Sequence, residues 1–221
     1  MASPCRVELF GTPVDAMTMA ETVASIREMT QLGTPHQHVV LNAAKVVQLD
    51  RDPRLREVIR RCDVINADGM SVVWASRVLR RPLPERVAGI DLFERLVEAA
   101  YEDGESVFFL GASDEVVRSV VSTFKARYPG LRVAGYRNGY WDDDEAVVRE
   151  VRLAKPTYLF LAIPSPRKEF WLNQHLDALG VPFVMGVGGS FDVVAGKVAR
   201  APRWVQRIGC EWVWRLGQEP G

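Results

Sequence analysis

The sequence predicts an α/β protein with a mostly parallel, Rossmann-like sheet flanked by helices. Short apolar runs alternate along the chain with amphipathic stretches that are long enough for helices of about ten or more residues. That alternation is typical of βαβ units, which place parallel strands in one sheet. A chain of 221 residues suits one α/β domain or two closely packed lobes, and it is long enough to bury a substantial core.

The first third of the chain predicts helices and strands in turn. Apolar residues recur at helical spacing over 17–29, and the run 38–41 that follows is typical of a short buried strand. Asp52 and Pro53 then open a helix, because Asp caps the first turn and Pro lacks an N–H that this turn does not need. This helix leads to a strand over 63–66.

The rest of the chain continues the same alternation, with short polar loops between the elements. The predicted helices lie around 72–78, over 91–100, 114–128 and 167–179, and from near Asp143 and Pro202, and the predicted strands cover 106–110, 131–135, 157–163 and 182–185. Ligands of such sheets bind beyond the carboxyl ends of the strands, so the loops at those ends hold the candidate functional residues.

Composition and charge exclude several classes of function. The chain has 28 basic and 28 acidic residues, so nucleic-acid binding is not expected from its net charge. Its three cysteines show neither CxxC nor metal-ligand spacing, which favours a reducing, cytoplasmic compartment. No segment approaches the roughly 20 apolar residues that span a bilayer, so we expect neither secretion nor a transmembrane helix.

Polar residues follow the first two predicted strands of the sheet. Asn42 comes directly after the first strand, and Asp68 and Gly69 follow the second, where the next helix begins. A carboxylate in that place either caps the first turn of the helix or faces a ligand. Both interpretations of Asp68 stay open at this point.

Segment 85–92 combines a cation, a permissive glycine and a second carboxylate suited to a helix start. These residues are Arg86, Gly89 and Asp91. Arg86 either binds a phosphate or orders the acidic residue beside it, and the residues alone do not decide between the two roles.

Two later loops are candidate anion sites. Gly111 and Ser113 lie between a strand and a helix, where backbone N–H groups suit a phosphate or the hydroxyls of a nucleotide. This loop lacks the full GxGxxG pattern of dinucleotide-binding proteins. Segment 164–169 brings a proline-braced turn, a hydroxyl and two cations together before a helix, which favours anion binding over a plain turn. Its candidate ligand-binding residues are Pro164, Ser165, Lys168 and Glu169.

The last candidate loop is rich in glycine, which allows either a close approach of the backbone to a ligand or a tight exit from the sheet. Its candidate residues are Gly186, Gly188, Gly189 and Asp192. Neither a metal nor a Ser-His-Asp triad is expected, because the three histidines are scattered and no triad order is present. The aspartate run 142–144 precedes a helix, so we interpret it as an N-terminal cap rather than a metal site. No cofactor is predicted.

Nine motifs in one order resemble the WecG/TagA/CpsF glycosyltransferase family, and the resemblance covers nearly the whole chain. They are LNAAK (41–45), ADGMSVVW (67–74), ERVAGIDL (85–92), FFLGA (108–112), GYRNGYW (135–141), PSPRKE (164–169), GVGGSFD (186–192), RAPRW (200–204) and EWVWRLGQEP (211–220). The resemblance implies a single bacterial glycosyltransferase domain over 1–221. It also implies an inverting, metal-independent transfer from a UDP-sugar to a sugar linked to undecaprenyl diphosphate, in the synthesis of cell-surface polysaccharide.

The resemblance further implies roles for particular residues and partners. Asp68 would be the catalytic base, with Asn42 and Arg86 in the same pocket; such a transfer needs a general base within reach of the acceptor hydroxyl. Cations and helix N-termini would stabilise the UDP leaving group. The implied partners are a UDP-sugar donor, a lipid-diphosphate-linked sugar acceptor and the inner face of the cytoplasmic membrane. Arginines such as Arg203 and Arg207 are suited to that anionic surface, and homo-oligomerisation is left open.

Two features depart from the family pattern. Many relatives carry Gly-x-Pro-Lys-Gln-Glu where this chain has PSPRKE, so Lys168 takes the place of the glutamine. The transferred sugar therefore stays open between N-acetylmannosamine, its uronic acid and glucose. Relatives also continue past the GluPro with a basic appendage that we expect this chain to lack. Two alternatives remain: a non-catalytic UDP-sugar-binding protein and a Rossmann-like nucleotide-dependent oxidoreductase.

Overall fold

The computed structural model describes residues 5–199, and within them it contains eight strands and nine helices. The strands are β1 (Arg6–Leu9), β2 (Thr12–Asp15), β3 (His36–Leu41), β4 (Val64–Ala67), β5 (Ser106–Gly111), β6 (Arg132–Arg137), β7 (Tyr158–Ala162) and β8 (Phe183–Gly186). The helices are α1 (Met19–Thr30), α2 (Ala43–Arg51), α3 (Pro53–Arg60), α4 (Met70–Val78), α5 (Gly89–Glu102), α6 (Asp114–Arg127), α7 (Asp144–Ala154), α8 (Arg167–Leu179) and α9 (Ser190–Val194). The helix predicted near Pro202 and the arginines at 203 and 207 lie outside the described residues.

Six strands form one sheet in the order β4–β3–β8–β7–β5–β6, and every neighbouring pair is parallel. The predicted α/β class with a mostly parallel sheet is therefore confirmed. The chain travels from β3 to β4 at one edge and from β5 to β6 at the other, and β7 and β8 then fill the space between. The connection after β5 runs toward β6 and the connection after β7 runs the opposite way toward β8, and open α/β sheets bind ligands beside such a reversal.

Helices cover both faces of the sheet, and the strand side chains alternate between them. In β5, Val107 and Phe109 pack in the core beneath α1, α5 and α6, whereas Phe108 and Leu110 pack beneath α7 and α8. Strand β7 is buried at every position. Strands covered on both faces read as continuous apolar runs, which explains why the sequence predicted them well.

Predicted helix starts are confirmed by their contacts. Asp52 Oδ1 accepts the backbone N–H groups of Arg54 and Leu55 at 3.0 and 3.1 Å, and Pro53 fills the first turn of α3. Asp143 caps α7 by accepting the N–H of Ala146 at 2.9 Å. The aspartate run therefore contains a helix cap, as the sequence indicated.

Three elements were not predicted: the antiparallel hairpin β1–β2 and the helices α2 and α9. The hairpin strands are four residues long, and β2 contains a proline, so the alternating pattern is short and weak. Asp15 fixes the hairpin to the sheet, because its carboxylate accepts the Arg6 Nε–H and the Ile65 N–H, both at 2.7 Å. Within residues 5–199, the helices are all too short or too polar to cross a bilayer.

Candidate functional site

Because the strands are parallel, the predicted loops all lie at the carboxyl end of the sheet. In spatial order they are Asp68 after β4, Asn42 after β3, Gly186–Gly189 after β8, Pro164–Glu169 after β7 and Gly111–Ser113 after β5. Strand neighbours lie about 4.8 Å apart, so about 14 Å separate β4 from β7 and about 19 Å separate β4 from β5.

Asp68 directly follows β4 in the chain, and in space it lies beside the start of α5. Its backbone N–H donates to the carbonyl of Leu41 at 2.9 Å, which fixes it beside β3. A Cβ added at Gly89 would lie 3.5 Å from Asp68 Oδ2, so the glycine lets the first turn of α5 approach the carboxylate. The N-cap of α4 is Gly69, at a φ of 115°, rather than Asp68. The geometry therefore does not assign Asp68 to capping α4.

Segment 85–92 lies against the end of β4. The N–H of Val87 donates to the carbonyl of Ala67 at 2.9 Å, which places half-buried Arg86 beside the loop that carries Asp68. Asp91 lies in the first turn of α5 and also lines a groove of about 390 Å³ with Met19. Arg86 and Gly89 are thus brought to the Asp68 loop, while Asp91 borders the α1 side as well.

Asn42 and Ser113 each cap the helix that follows their strand. Asn42 Oδ1 accepts the N–H of Lys45 at 2.9 Å, and Ser113 Oγ accepts the N–H of Val116 at 3.3 Å. These caps orient both side chains at the sheet edge and set the N-termini of α2 and α6 there.

The Gly111 loop is built by close backbone contacts. Gly111 has a φ of 121°, and a Cβ at this position would overlap the backbone of Ala162. The N–H of Ala112 donates to the Ala162 carbonyl at 2.8 Å, and the N–H of Gly139 donates to the Ala112 carbonyl at 2.8 Å. Only glycine fits at position 111 without moving the neighbouring strand.

A cluster of buried charges lies between α2 and the first turn of α8. Lys45 Nζ pairs with Glu169 Oε1, and the two side chains are 4% and 2% exposed. Ser165 Oγ donates to Glu169 Oε2 at 3.0 Å. Lys168 Nζ lies 3.8 Å from Glu169 Oε1. The predicted anion-binding segment is therefore joined to the loop after β3.

The glycines after β8 make room for the side chain of Lys168. A Cβ at Gly186 would lie 3.0 Å from Lys168 Cδ, and a Cβ at Gly188 would lie 3.2 Å from Lys168 Nζ. The φ of Gly188 is +54°, which an L side chain rarely adopts. Gly189 then begins α9, with Asp192 in its first turn. The lysine thus reaches from the β7 loop across the β8 loop toward β3.

Electrostatics within the cluster follow from burial and from paired charges. Burial lowers the pKa of the Lys168 ammonium; Glu169 and Asp68 raise it, and Lys45 lowers it further. Burial alone would raise the pKa of Glu169, but Lys45 and Lys168 outweigh it and hold that pKa below its usual value. Burial also lowers the pKa of His38 to about 3, so this neighbouring histidine is neutral. The cluster holds a carboxylate between two ammonium groups.

One groove lined by described residues lies elsewhere, between α1 and α5. Its volume is about 870 Å³, and Glu85 and Arg95 contribute to its lining beside apolar residues of α1. Among the described residues that line it, none is a predicted site residue. Residues 5–199 also contain no group of three or more His, Cys, Asp or Glu side chains placed to hold a metal. We place the candidate site at the sheet edge, where the charged and capping side chains converge.

The profile of the glycosyl transferase WecG/TagA/CpsF family matches residues 7–221. The chain belongs to that family. An N-acetylglucosaminyldiphosphoundecaprenol N-acetyl-beta-D-mannosaminyltransferase of Staphylococcus aureus (strain NCTC 8325 / PS 47) is 33% identical over 217 residues, which cover 97% of this chain and 85% of the relative. A protein of the same description from Bacillus spizizenii is 35% identical over 170 residues, which cover 77% of this chain and 66% of the relative. The resemblance seen in the motifs is confirmed.

In this WecG/TagA/CpsF glycosyltransferase, the structure brings most of the predicted residues to one edge of the sheet, with Gly111 and Ser113 at its far side. Sequence reasoning missed Lys45, although the residue lies within one of the motifs. Two facts point to it once they are combined: Asn42 caps α2, and position 45 then falls on the same face of that helix as the buried Leu49. A buried lysine needs a carboxylate partner, and here the partner is Glu169.

Proposed function

We propose that this protein transfers a sugar from a UDP-sugar to a sugar linked to undecaprenyl diphosphate during the synthesis of a cell-surface polysaccharide. The observation that carries the proposal is the placement of Asp68 and Lys168 at the carboxyl ends of one parallel sheet, with glycines that give each side chain room. A transferase needs a base at the acceptor and a positive charge at the leaving group. The names of the relatives describe N-acetylmannosamine transfer to N-acetylglucosaminyldiphosphoundecaprenol, which supports a lipid-diphosphate-linked sugar as the acceptor.

In the proposed mechanism, Asp68 takes the proton of the acceptor hydroxyl as that oxygen attacks the anomeric carbon. The bond between the anomeric carbon and the UDP oxygen breaks on the opposite face, so the configuration inverts and the electron pair leaves with UDP. Lys168 stabilises the negative charge that develops on the diphosphate, without a metal. The first turn of α8 carries this lysine, and helix N-termini favour anions.

The other predicted residues would bind the two substrates. Arg86 and Asn42 lie on the Asp68 side, where Gly69 and Gly89 keep the backbone close to the carboxylate. The nucleotide would extend along the loops after β8, β7 and β5, and the backbone groups around Gly111 and Ser113 suit its hydroxyls.

We also propose that the protein works at the inner face of the cytoplasmic membrane. Residues 70–84 contain the arginines 77, 80 and 81 and no acidic residue. Trp74 and Val78 on α4 and Leu79 directly after it are exposed, and Val78 is 82% exposed. Exposed aromatic and apolar groups beside cations are typical of surfaces that meet an anionic bilayer. Helix α4 begins beside Asp68, so about 13 Å of helix separates this patch from the carboxylate.

The deciding experiment is a donor screen with a lipid-diphosphate-linked N-acetylglucosamine acceptor. The purified chain is incubated with the UDP forms of N-acetylmannosamine, its uronic acid and glucose, and both UDP release and the glycosylated lipid are measured. Acceptor-dependent formation of one product supports the proposal. UDP-sugar binding without transfer would favour the non-catalytic binder, and binding of NAD(H) in place of UDP would favour the oxidoreductase.

A further inference from the structure

We propose that Lys45 is a positioning residue that keeps the Lys168 ammonium available to the donor diphosphate. Lys45 pairs with Glu169 and thereby prevents that carboxylate from neutralising Lys168. This inference rests on the proposed function for the identity of the anion. The role of Lys45 would be the same for any diphosphate that binds Lys168.

Two ammonium groups compete for one carboxylate oxygen. Lys45 Nζ contacts Glu169 Oε1 directly, while Lys168 Nζ stands 3.8 Å from the same atom, beyond hydrogen-bond distance. The other oxygen, Oε2, accepts the hydroxyl of Ser165 at 3.0 Å. Glu169 is therefore committed to Lys45 and Ser165, and it holds Lys168 only at longer range.

Burial separates the roles of the two lysines. The Lys45 side chain is 4% exposed and contacts Glu169, whereas the Lys168 side chain is 12% exposed and its ammonium lies beside the glycine loop after β8. Lys45 is thus placed to touch the carboxylate and not the ligand. A buried carboxylate that loses its partner takes the nearest remaining cation, and here that cation is Lys168.

Among residues 5–199, Asp68 also acts on the charge of Lys168, and it follows β4 whereas Glu169 follows β7. His38 is also near, but burial keeps it neutral. If Lys168 moved to pair with Glu169, its ammonium would leave the space above Gly188 and its charge would be cancelled. The arrangement therefore makes the availability of the Lys168 ammonium depend on the pairing of Lys45 with Glu169.

The test uses four forms of the full chain: wild type, Lys45→Met, Glu169→Gln and the double variant Lys45→Met/Glu169→Gln. Calorimetry measures the dissociation constants of pyrophosphate and of UDP, and thermal unfolding checks that each form is folded. Lys125→Met, which removes an exposed lysine on α6, is the matched control. We expect Lys45→Met to weaken both ligands about tenfold, the size of one charge-assisted contact.

The double variant distinguishes positioning from a merely structural role. It removes the carboxylate together with its partner, so no ion pair with position 169 competes for the Lys168 ammonium. The affinities for pyrophosphate and UDP should then return to within about threefold of wild type. Glu169→Gln alone should bind pyrophosphate at least as tightly as wild type, and this expectation stands even if Lys45→Met does not fold. Equal binding by all forms, a double variant as weak as Lys45→Met, or no pyrophosphate binding by wild type would overturn the inference. The expected pyrophosphate pattern without any UDP binding would instead contradict the proposed function.

Discussion

The segments after β3 and β7 carry a buried ion pair, whereas those after β5 and β6 are joined by backbone hydrogen bonds. At the charged end, Lys45, Glu169 and Lys168 form a cluster that acts electrostatically together with Asp68. At the backbone end, the carbonyls of Ala162 and Ala112 accept N–H groups of the neighbouring loops at 2.8 Å. The two ends of one sheet edge thus present different chemistry to a ligand.

This difference predicts different responses to substitution. At the charged end, side chains can change while the backbone stays in place, so substitutions should alter rate and affinity. At the backbone end, an added Cβ must move a strand, so substitutions should alter folding first. The predictions below test this division, from the largest expected effect to the smallest.

Asp68→Asn should reduce turnover by about a hundredfold or more, because the variant loses its general base. UDP binding should stay close to that of wild type, since the shape of the crevice is retained. The measurements are UDP release at saturating acceptor and UDP binding by calorimetry. Asp50→Asn, at a side chain that is 89% exposed, is the control. A near-wild-type rate for Asp68→Asn would show that this carboxylate is structural.

Gly111→Ala should lower the free energy of unfolding by about 3 kcal/mol, because positive φ and backbone overlap act together. Gly104→Ala is the matched control: its φ is +67°, and an added Cβ there meets nothing within 4 Å. That variant should lose only about 1 kcal/mol. Urea unfolding measures the free energy of unfolding of both variants. Similar losses of stability would contradict the view that backbone contacts hold the loops after β5 and β6 in place.

Lys168→Gln should lower kcat about tenfold and raise the KM for the donor less, because the lost cation stabilises the charge that develops on the diphosphate as its bond to the sugar breaks. The neighbouring Arg167→Gln is the control, since its guanidinium lies 5.6 Å from the centre of the Trp141 ring. Steady-state kinetics with varied donor decide the question. If both variants have the same kinetics as wild type, Lys168 does not contact the donor.

Arg77→Glu/Arg80→Glu should weaken binding to anionic vesicles by about thirtyfold or more, since each lost positive charge removes about 1 kcal/mol near the surface. Cosedimentation at low and moderate salt is the measurement, and binding should fall as salt rises. Arg149→Glu on α7 is the control. Loss of binding only in Arg203→Glu/Arg207→Glu would place the membrane contact in the C-terminal segment and not at the charged end of the sheet.

Activity should change by less than about twofold in excess EDTA, because the charged end supplies its own cations to the leaving group. The assay compares UDP release with and without the chelator. Loss of activity that magnesium or manganese restores would refute metal independence and would mean that the lysines do not suffice.

The strands and their polar loops were predictable, because strands such as β7 are continuous apolar runs and the polar residues begin where those runs end. The order of the strands was not. It depends on pairing between distant segments, above all the insertion of β8 between β3 and β7. Local sequence carries little information about such long-range pairing.

Among the candidate site residues, Asp68 and Lys168 were predicted from motifs, whereas Lys45 was not. The reason is distance along the chain: Lys45 and Glu169 are 124 residues apart, and neither position alone predicts a buried ion pair. A lysine at the start of a helix usually lies in solvent. Here the cap at Asn42 and the packing of α2 bury it instead.

The position of β8 also bears on the order in which the protein assembles during synthesis. This strand is the last of the six sheet strands to leave the ribosome, yet it lies between β3 and β7. A nascent chain that ends before residue 183 therefore carries two separate pieces of sheet, β4–β3 and β7–β5–β6. Asp68 belongs to one piece and Lys168 to the other, so the crevice between them forms only when β8 arrives to join them.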